Sequence, residues 1–293
     1  MRRILYIIGL DRNWAIANRA RQLATKLSNG FDIEIAAKGQ LPADPSGYDI
    51  VHLHTPCMIP EIIRNQAYMQ HPTWGFEIIS ARSNASITRY PEVTKRATFC
   101  VAKNRRLAEW AEPYLTCSPT WIANGVDERM FYPRPLRVGW CGNKRDDSLE
   151  YKGVALIRQA VEALQAEWGK WTRIEFVMDP GDAPQRVISQ QELAPWYRSL
   201  DVYATASLGE GCSNTVLEAL ACGVPVVTTD TGIVHELAAG CDVTVVERSM
   251  EGVMQGIRAI LEPAVERRRL ICQQYRWKAV AEQYAKLYQQ VCA

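Results

Sequence analysis

Two glutamates stand eight positions apart, Glu210 and Glu218, in the run Ser207-Leu208-Gly209-Glu210-Gly211-Cys212-Ser213-Asn214-Thr215-Val216-Leu217-Glu218. The first lies in a loop of small residues. The second falls in the first turns of an expected helix, which ends at the Gly223-Val224-Pro225 turn before a Val226-Val227-Thr228-Thr229 strand. Such a loop suits a nucleoside diphosphate. Amides of Gly211, Cys212, Ser213, Asn214 and Thr215, at the positive end of a helix, can cradle phosphate oxygens. A carboxylate roughly two turns on can accept hydrogen bonds from both hydroxyls of a ribose. The glutamate spacing alone is common, and an ordinary strand–helix–strand crossover with two surface glutamates would also carry it.

The elements that must hold these residues alternate along the chain. Ile4 to Ile8 reads as a strand, and Trp14 to Leu27 as an amphipathic helix with Ala17, Ala20, Leu23, Ala24 and Leu27 on one face. Further strands are expected at 33–37, 50–54, 76–80 and 99–102, followed by a helix over 105–114. The segment Trp121-Ile122-Ala123-Asn124-Gly125-Val126-Asp127 through Phe131-Tyr132-Pro133-Arg134-Pro135 has the turn and proline chemistry of a linker. A second series then begins: strand 137–142, helix 154–168, strand 174–178, a helical stretch over 193–199, strand 202–205, the glutamate loop, and strands 226–229 and 243–246. A helical tail over 265–291 is expected to break near Tyr275 to Lys278. Strands and helices in regular alternation predict parallel, doubly wound α/β sheets. The division expected is an N-terminal domain over 1–135 and a C-terminal domain over 136–293.

Composition bounds the function classes. The chain has 293 residues, 47% hydrophobic and 23% charged, as in an ordinary globular protein of two medium domains. No apolar run approaches the ~18 residues of a membrane span. The opening Met1-Arg2-Arg3-Ile4-Leu5-Tyr6-Ile7-Ile8-Gly9 is cut short by Asp11-Arg12-Asn13, which fits a buried strand better than a leader. Nine scattered cysteines without a C-x-x-C pair or a Cys/His cluster point to a reducing, cytoplasmic setting. Residues 1–135 carry 17 Lys/Arg against 12 Asp/Glu (+5) and residues 136–293 carry 17 against 20 (−3). The basic first half allows an anionic acceptor, a peripheral membrane surface or a nucleic-acid contact, but lacks the strongly basic signature of a dedicated nucleic-acid binder. No G-x-G-x-x-G follows the first strand, which argues against a nicotinamide dehydrogenase.

The glutamate string from Ser207 to Thr229 and the Asn124-Gly125-Val126-Asp127 boundary resemble the retaining glycosyltransferases of family 4, the glycosyl transferases group 1, of which this chain looks like a short, divergent member. The resemblance covers most of residues 100–291 and the first 100 only loosely. It implies the GT-B fold, two Rossmann-like doubly wound domains facing across a cleft, with the C-terminal helix packing back on the first domain. It also implies metal-independent transfer of a sugar from a nucleotide-diphosphate sugar, a UDP-sugar first among the candidates, with no cofactor.

Under that resemblance Glu218 would hold the ribose, and Glu210 would face the donor sugar. Lys152, before Gly153, would meet the charge developing on the leaving phosphate. Gly142 is followed by Asn143 where the family has an arginine, so Lys144 or Arg145 would have to replace the missing cation. The first domain departs further: the loop Gly9-Leu10-Asp11-Arg12-Asn13-Trp14 has one glycine instead of a pair, and no histidine follows the fourth strand. Arg82 could take that histidine's place. Asn13, Trp14, His54 and Trp74 are the acceptor-side candidates, with Trp14, Trp74 and Tyr90 as a possible stacking platform. His52 and His54 are read as facing opposite sides of their strand. The acceptor would be a glycan, a lipid-linked sugar or a hydroxylated DNA base. Two other readings stay open, a GT-B-fold nucleotide-sugar epimerase and a degenerate subunit that binds a sugar nucleotide without turnover.

Overall fold

The computed structural model describes residues 1–9, 15–79, 86–169, 172–181 and 188–293, leaving aside the side chains of Ala15, Ile16, Asp146 and Cys272. The chain forms two units, Met1–Phe131 with Gln273–Ala293, and Tyr132–Cys272.

In the first unit, β1 (Arg2–Ile8), β2 (Phe31–Ala37), β3 (Ile50–Leu53), β4 (Trp74–Ile78), β5 (Phe99–Ala102) and β6 (Thr120–Trp121) form one parallel sheet, ordered β2-β1-β3-β4-β5-β6. The unbroken apolar run of β1 is buried from Ile4 to Ile8. Parallel strands covered on both faces need such runs. Ile4, Tyr6 and Ile8 pack with the Ala15–Leu27 helix (Ala17, Ala20, Leu23, Leu27) and the Trp277–Val291 helix (Val280, Ala281, Tyr284, Leu287, Tyr288). Leu5 and Ile7 face the other way, onto Met58, Ile59, Ile62 and Tyr68.

The Asn124-Gly125-Val126-Asp127 segment is more than a linker turn. The Val126 amide donates to the Tyr275 carbonyl at 2.7 Å, and the Trp277 amide donates to the Val126 carbonyl at 3.2 Å. Asp127 accepts from Gln22 Nε2 at 3.1 Å. The segment thus seats the break between the last two helices, Met250–Gln274 and Trp277–Val291.

The second unit holds β7 (Leu136–Trp140), β8 (Ile174–Met178), β9 (Val202–Thr205), β10 (Val226–Thr229) and β11 (Val243–Val246), all parallel, in the order β11-β10-β9-β7-β8. One face packs on the Val154–Trp168 helix and on Val253, Ile257, Leu261 and Val265 of the Met250–Gln274 helix. The other face packs on Trp196, Tyr197, Val216 and Ala219. The helix begins at Met250, ahead of the start at residue 265 expected from the sequence, and runs through Pro263. The four buried residues at spacing four carry the helix through it.

Each sheet lists its first five strands, in chain order, as second-first-third-fourth-fifth. Both units are therefore doubly wound, Rossmann-like α/β domains. In each, the strand order reverses between the first and third strands. Ligands of open α/β sheets bind beyond the C-terminal ends of the strands at this reversal.

Candidate donor site

In the second unit the reversal lies between β7 and β9. Beyond β7 come Cys141, Gly142, Asn143 and Lys144. Beyond β9 come Ala206 to Ser213, with Glu210 in the middle. The run beyond β9 is tied to the Tyr151-Lys152-Gly153 corner by backbone bonds: the Ala206 amide donates to the Lys152 carbonyl at 3.1 Å and the Leu208 amide to the Tyr151 carbonyl at 3.0 Å. Gly153 adopts φ +66° and approaches so closely that a Cβ there would stand 2.5 Å from the Ala206 carbonyl oxygen. Gly232, at φ +56°, lies against Glu210 and Gly211, where a Cβ would meet the Gly211 oxygen at 2.0 Å. The Ile233 amide donates to that same oxygen at 3.1 Å. Only glycine permits either approach without strain.

This corner brings the Lys152 ammonium onto Glu210 Oε1, in an ion pair whose side chains are 29% and 17% exposed. Both groups are reachable by a solute.

Glu218 is the fifth residue of the Asn214–Ala221 helix. Its Oε2 accepts from the Tyr197 hydroxyl at 3.0 Å. Gln190, Leu193, Ala194, Tyr197, Ala221 and Cys222 line a cavity of about 250 Å³ beside it.

The N-terminus of this helix lacks a side-chain cap. The Ser213 hydroxyl pairs instead with Thr215 Oγ1 at 3.1 Å. By contrast, Ser189 starts the Gln190–Arg198 helix with a complete capping box to Glu192. An uncapped first turn leaves amide hydrogens and the positive helix end available to an anion. Gly211, Cys212 and Asn214 are exposed there, Thr215 is half-buried and Ser213 is buried.

The basic loop divides its labour. Lys144 Nζ donates to the Asp179 carbonyl at 2.9 Å and to the Gly181 carbonyl, and stands 3.6 Å from Asp179 Oδ1. The Asp179 carboxylate also accepts the Gly181 amide at 2.9 Å and the Gly142 amide at 3.4 Å. Lys144 thus closes its own loop. Arg145 and Asn143 are exposed beside it. Burial pushes the Cys141 thiol up to about 12, with the Asp179 charge adding to the effect, so this sulfur stays protonated and unreactive at neutral pH.

The acceptor-side candidates fare differently. Asn13, Trp14 and Arg82 lie outside the described residues. Trp74 is only 2% exposed and opens β4 at its N-terminal end, packed with core residues such as Phe76. It is a core residue, and no acceptor ring can stack on it.

His52 and His54 share a face instead of opposing one another, as residues two apart on an extended chain must. Both are fully buried around Glu77. His52 Nε2 lies 3.5 Å and His54 Nδ1 3.6 Å from its carboxylate. His54 is therefore sealed away from any acceptor.

Sequence reasoning missed this cluster, which also takes in the Tyr6 and Tyr284 hydroxyls (2.7 and 2.5 Å from Oε1) and Lys103 and Arg19 (2.8 and 3.3 Å from Oε2). Burial opposes ionisation of Glu77. The Lys103 ammonium, the two imidazoles and the Arg19 guanidinium overcome it and hold its carboxyl well below the usual carboxylate range. The one available signal was a lone Glu in the apolar Trp74-Gly75-Phe76-Glu77-Ile78 strand.

The chain is similar in sequence to known glycosyltransferases. Residues 136–263 match the family described as Glycosyl transferases group 1. The phosphatidyl-myo-inositol mannosyltransferase of Propionibacterium freudenreichii subsp. shermanii is 23% identical over 295 residues, 88% of this chain and 74% of its own length. The MMP alpha-(1->4)-mannosyltransferase of Mycolicibacterium hassiacum is 25% identical over 198 residues, 58% of this chain and 47% of its own. The lipopolysaccharide core biosynthesis mannosyltransferase LpsB of Rhizobium meliloti is 51% identical over 45 residues, 15% of this chain and 13% of its own. Among solved structures, sucrose-phosphate synthase from Thermosynechococcus elongatus covers 99% of both chains at 16% identity and a TM-score of 0.41. Anabaena HepE in complex with UDP-glucose covers 99% of this chain and 100% of its own at 12% identity and a TM-score of 0.42. Residues 136–263 are a glycosyl transferases group 1 domain, and the chain is a glycosyltransferase.

Proposed function

We propose that this glycosyltransferase is retaining and metal-independent, and that it moves a hexose from a nucleotide-diphosphate sugar to a hydroxyl acceptor. One observation carries the reading. The Lys152 ammonium, the Glu210 and Glu218 carboxylates and an uncapped helix N-terminus are gathered at the strand-order reversal of a single sheet.

In this reading the ribose binds Glu218 and the diphosphate meets the amides of 211–215. Lys152 leaves Glu210 for the phosphate as charge builds on the leaving oxygen. Glu210 then turns to the donor sugar, where its negative charge favours an oxocarbenium-like transition state. The bond from the acceptor oxygen to the anomeric carbon forms on the face where the bond to phosphate breaks. The acceptor proton passes to the leaving phosphate, so no separate general base is needed.

The three relatives are all named mannosyltransferases, which makes mannose the first sugar to try. Two of the names carry a phosphatidylinositol and a lipopolysaccharide core. They favour a lipid-linked or glycan acceptor over a DNA base.

The test is a thermal-shift screen against UDP, GDP and ADP and their mannose and glucose conjugates, with EDTA present. Ligand at about 100 times its dissociation constant adds about 2.7 kcal/mol, a visible rise in midpoint. Turnover with the donor so identified, followed by NMR of the new anomeric centre, then reads the stereochemistry. An inverted centre, or activity abolished by EDTA, overturns the corresponding part of the reading. Donor consumed without any acceptor would point to an epimerase instead.

A further inference from the structure

Glu218 sits on a half-buried helix face, and a glutamate there has three rotatable bonds. Gripping a ribose requires those bonds to be fixed before the nucleotide arrives. One neighbour supplies a fixed partner. Tyr197 is 1% exposed, and its ring is wedged between Trp196 (centroids 5.0 Å apart) and Tyr203 (5.7 Å). Its hydroxyl donates to Glu218 Oε2 at 3.0 Å. Burial, with smaller contributions from Tyr203, Cys141 and Glu218, raises the pKa of this phenol, so the hydroxyl keeps its proton.

The same hydroxyl reaches the Cys141 side chain, directly before Gly142 in the basic loop. The Tyr203 hydroxyl donates to the Cys141 carbonyl at 3.3 Å. Two buried tyrosines therefore join the glutamate helix to the loop beyond β7.

We infer that Tyr197 is the positioning residue for Glu218, tying down Oε2 so that Oε1 stands ready for the ribose hydroxyls. This rests on the donor-site reading above. A mobile glutamate would bind the same ribose at an entropic cost. A pre-set one binds it more tightly and discriminates more sharply against a sugar that lacks a hydroxyl, because a buried, oriented acceptor is then left unpaired.

The experiment compares wild type, Tyr197→Phe, Glu218→Ala and the double variant by calorimetric titration of UDP, GDP and ADP, each beside its 2′-deoxy counterpart. Phenylalanine keeps the ring and its packing. Melting midpoints without nucleotide confirm that the variants fold, and Tyr197→Met provides a second removal of the hydroxyl.

The expected result is roughly a tenfold loss of affinity for the preferred nucleotide in Tyr197→Phe, from losing one hydrogen bond to a charged group. The ribose-over-deoxyribose preference should shrink with it, kcat should stay unchanged, and the double variant should be no worse than Glu218→Ala. A merely structural tyrosine would weaken both nucleotides equally. Unchanged affinity and preference in Tyr197→Phe, with loss in Glu218→Ala, would overturn the inference and leave the site standing. No loss in Glu218→Ala would overturn the donor-site reading itself.

Discussion

The two sheets share one strand order, and each gathers charged side chains near its reversal point, yet they treat those charges in opposite ways. In the first unit Glu77 and Lys103 are 1% and 8% exposed, and the carboxylate has four donors. In the second, Glu210 and Lys152 are 17% and 29% exposed, and they have each other. The Glu77 carboxylate is taken up by its four donors and has little left to offer a ligand, although His52 Nε2 and His54 Nε2 lack a hydrogen-bond partner among the described residues. A half-open pair in which each group has one partner among the described residues can exchange that partner for a phosphate or a sugar. The contrast separates a charge cluster that ties the strands to the last helix from one left open to a solute. It also explains why His54, at the right end of its strand, is an unsuitable contact for an acceptor.

Breaking the sealed cluster should produce the largest effect. Glu77→Gln leaves the Lys103 ammonium and the Arg19 guanidinium without their anion, and the loss of one member of a buried ion pair typically costs 3–5 kcal/mol. The Trp277–Val291 helix should loosen first, because Tyr284 bonds both Glu77 at 2.5 Å and Lys103 at 2.6 Å. Urea unfolding monitored by circular dichroism gives the cost. A change below about 1 kcal/mol would mean that the cluster is not what seats this helix.

Removing charge from the open site should leave stability nearly unchanged and strike function. Glu210→Gln is expected to lower kcat by about 10²-fold with little effect on donor affinity, the signature of an interaction made in the transition state. Glu218→Ala should do the reverse, with about 1.5–3 kcal/mol of donor binding lost and kcat retained. Steady-state kinetics at saturating acceptor separates the two. If both variants lose only stability, the open site is structural after all.

The parts that repeat locally were legible in the sequence. The strands at 99–102, 174–178, 202–205, 226–229 and 243–246 stand where their β-branched runs place them, because a short apolar run in a parallel sheet has little other use. The glutamate loop was readable as a loop because its small residues stand directly before the helical pattern that becomes Asn214–Ala221. What escaped depends on partners far apart in the chain. Glu77 and Tyr284 are 207 positions apart, and nothing local announces their meeting. Lys144 read as a candidate phosphate cation because Asp179, its partner just beyond the neighbouring strand β8, is 35 positions away. Trp74 read as a platform because an aromatic at a strand's start looks the same in sequence whether its surroundings are core or solvent.

Acidity distinguishes the two clusters more gently. Burial drives the His52 pKa down to about 3 and that of His54 to about 4, with Glu77 opposing in both cases. In the unfolded chain both imidazoles titrate near 6.5. Between those values the unfolded chain binds protons that the fold refuses, so stability rises with pH through this window and falls on acidification below about 6.5. The slope approaches about 1.4 kcal/mol per pH unit for each imidazole. Glu77, whose folded pKa is depressed, adds a loss of the same sign below its unfolded value near 4.5. Urea midpoints at pH 7.5 and 5.5 should show the fall, and replacing both histidines with glutamine should flatten it. An unchanged slope would place the titration elsewhere.

The smallest effect tests whether Lys144 belongs with the sealed groups or the open ones. Its ammonium bonds two carbonyls and faces Asp179, yet its side chain is 19% exposed and lies next to Gly142. If it closes the loop, Lys144→Met should cost up to about 1 kcal/mol of stability, the usual range for an accessible ion pair, and change donor affinity less than twofold. If it is a phosphate ligand, affinity should instead fall about tenfold or more and the salt dependence of binding should weaken, because one fewer cation would meet the diphosphate. Titrating donor at two ionic strengths distinguishes the outcomes. The geometry predicts the first, since a phosphate would have to displace Lys144 from all three oxygens at once.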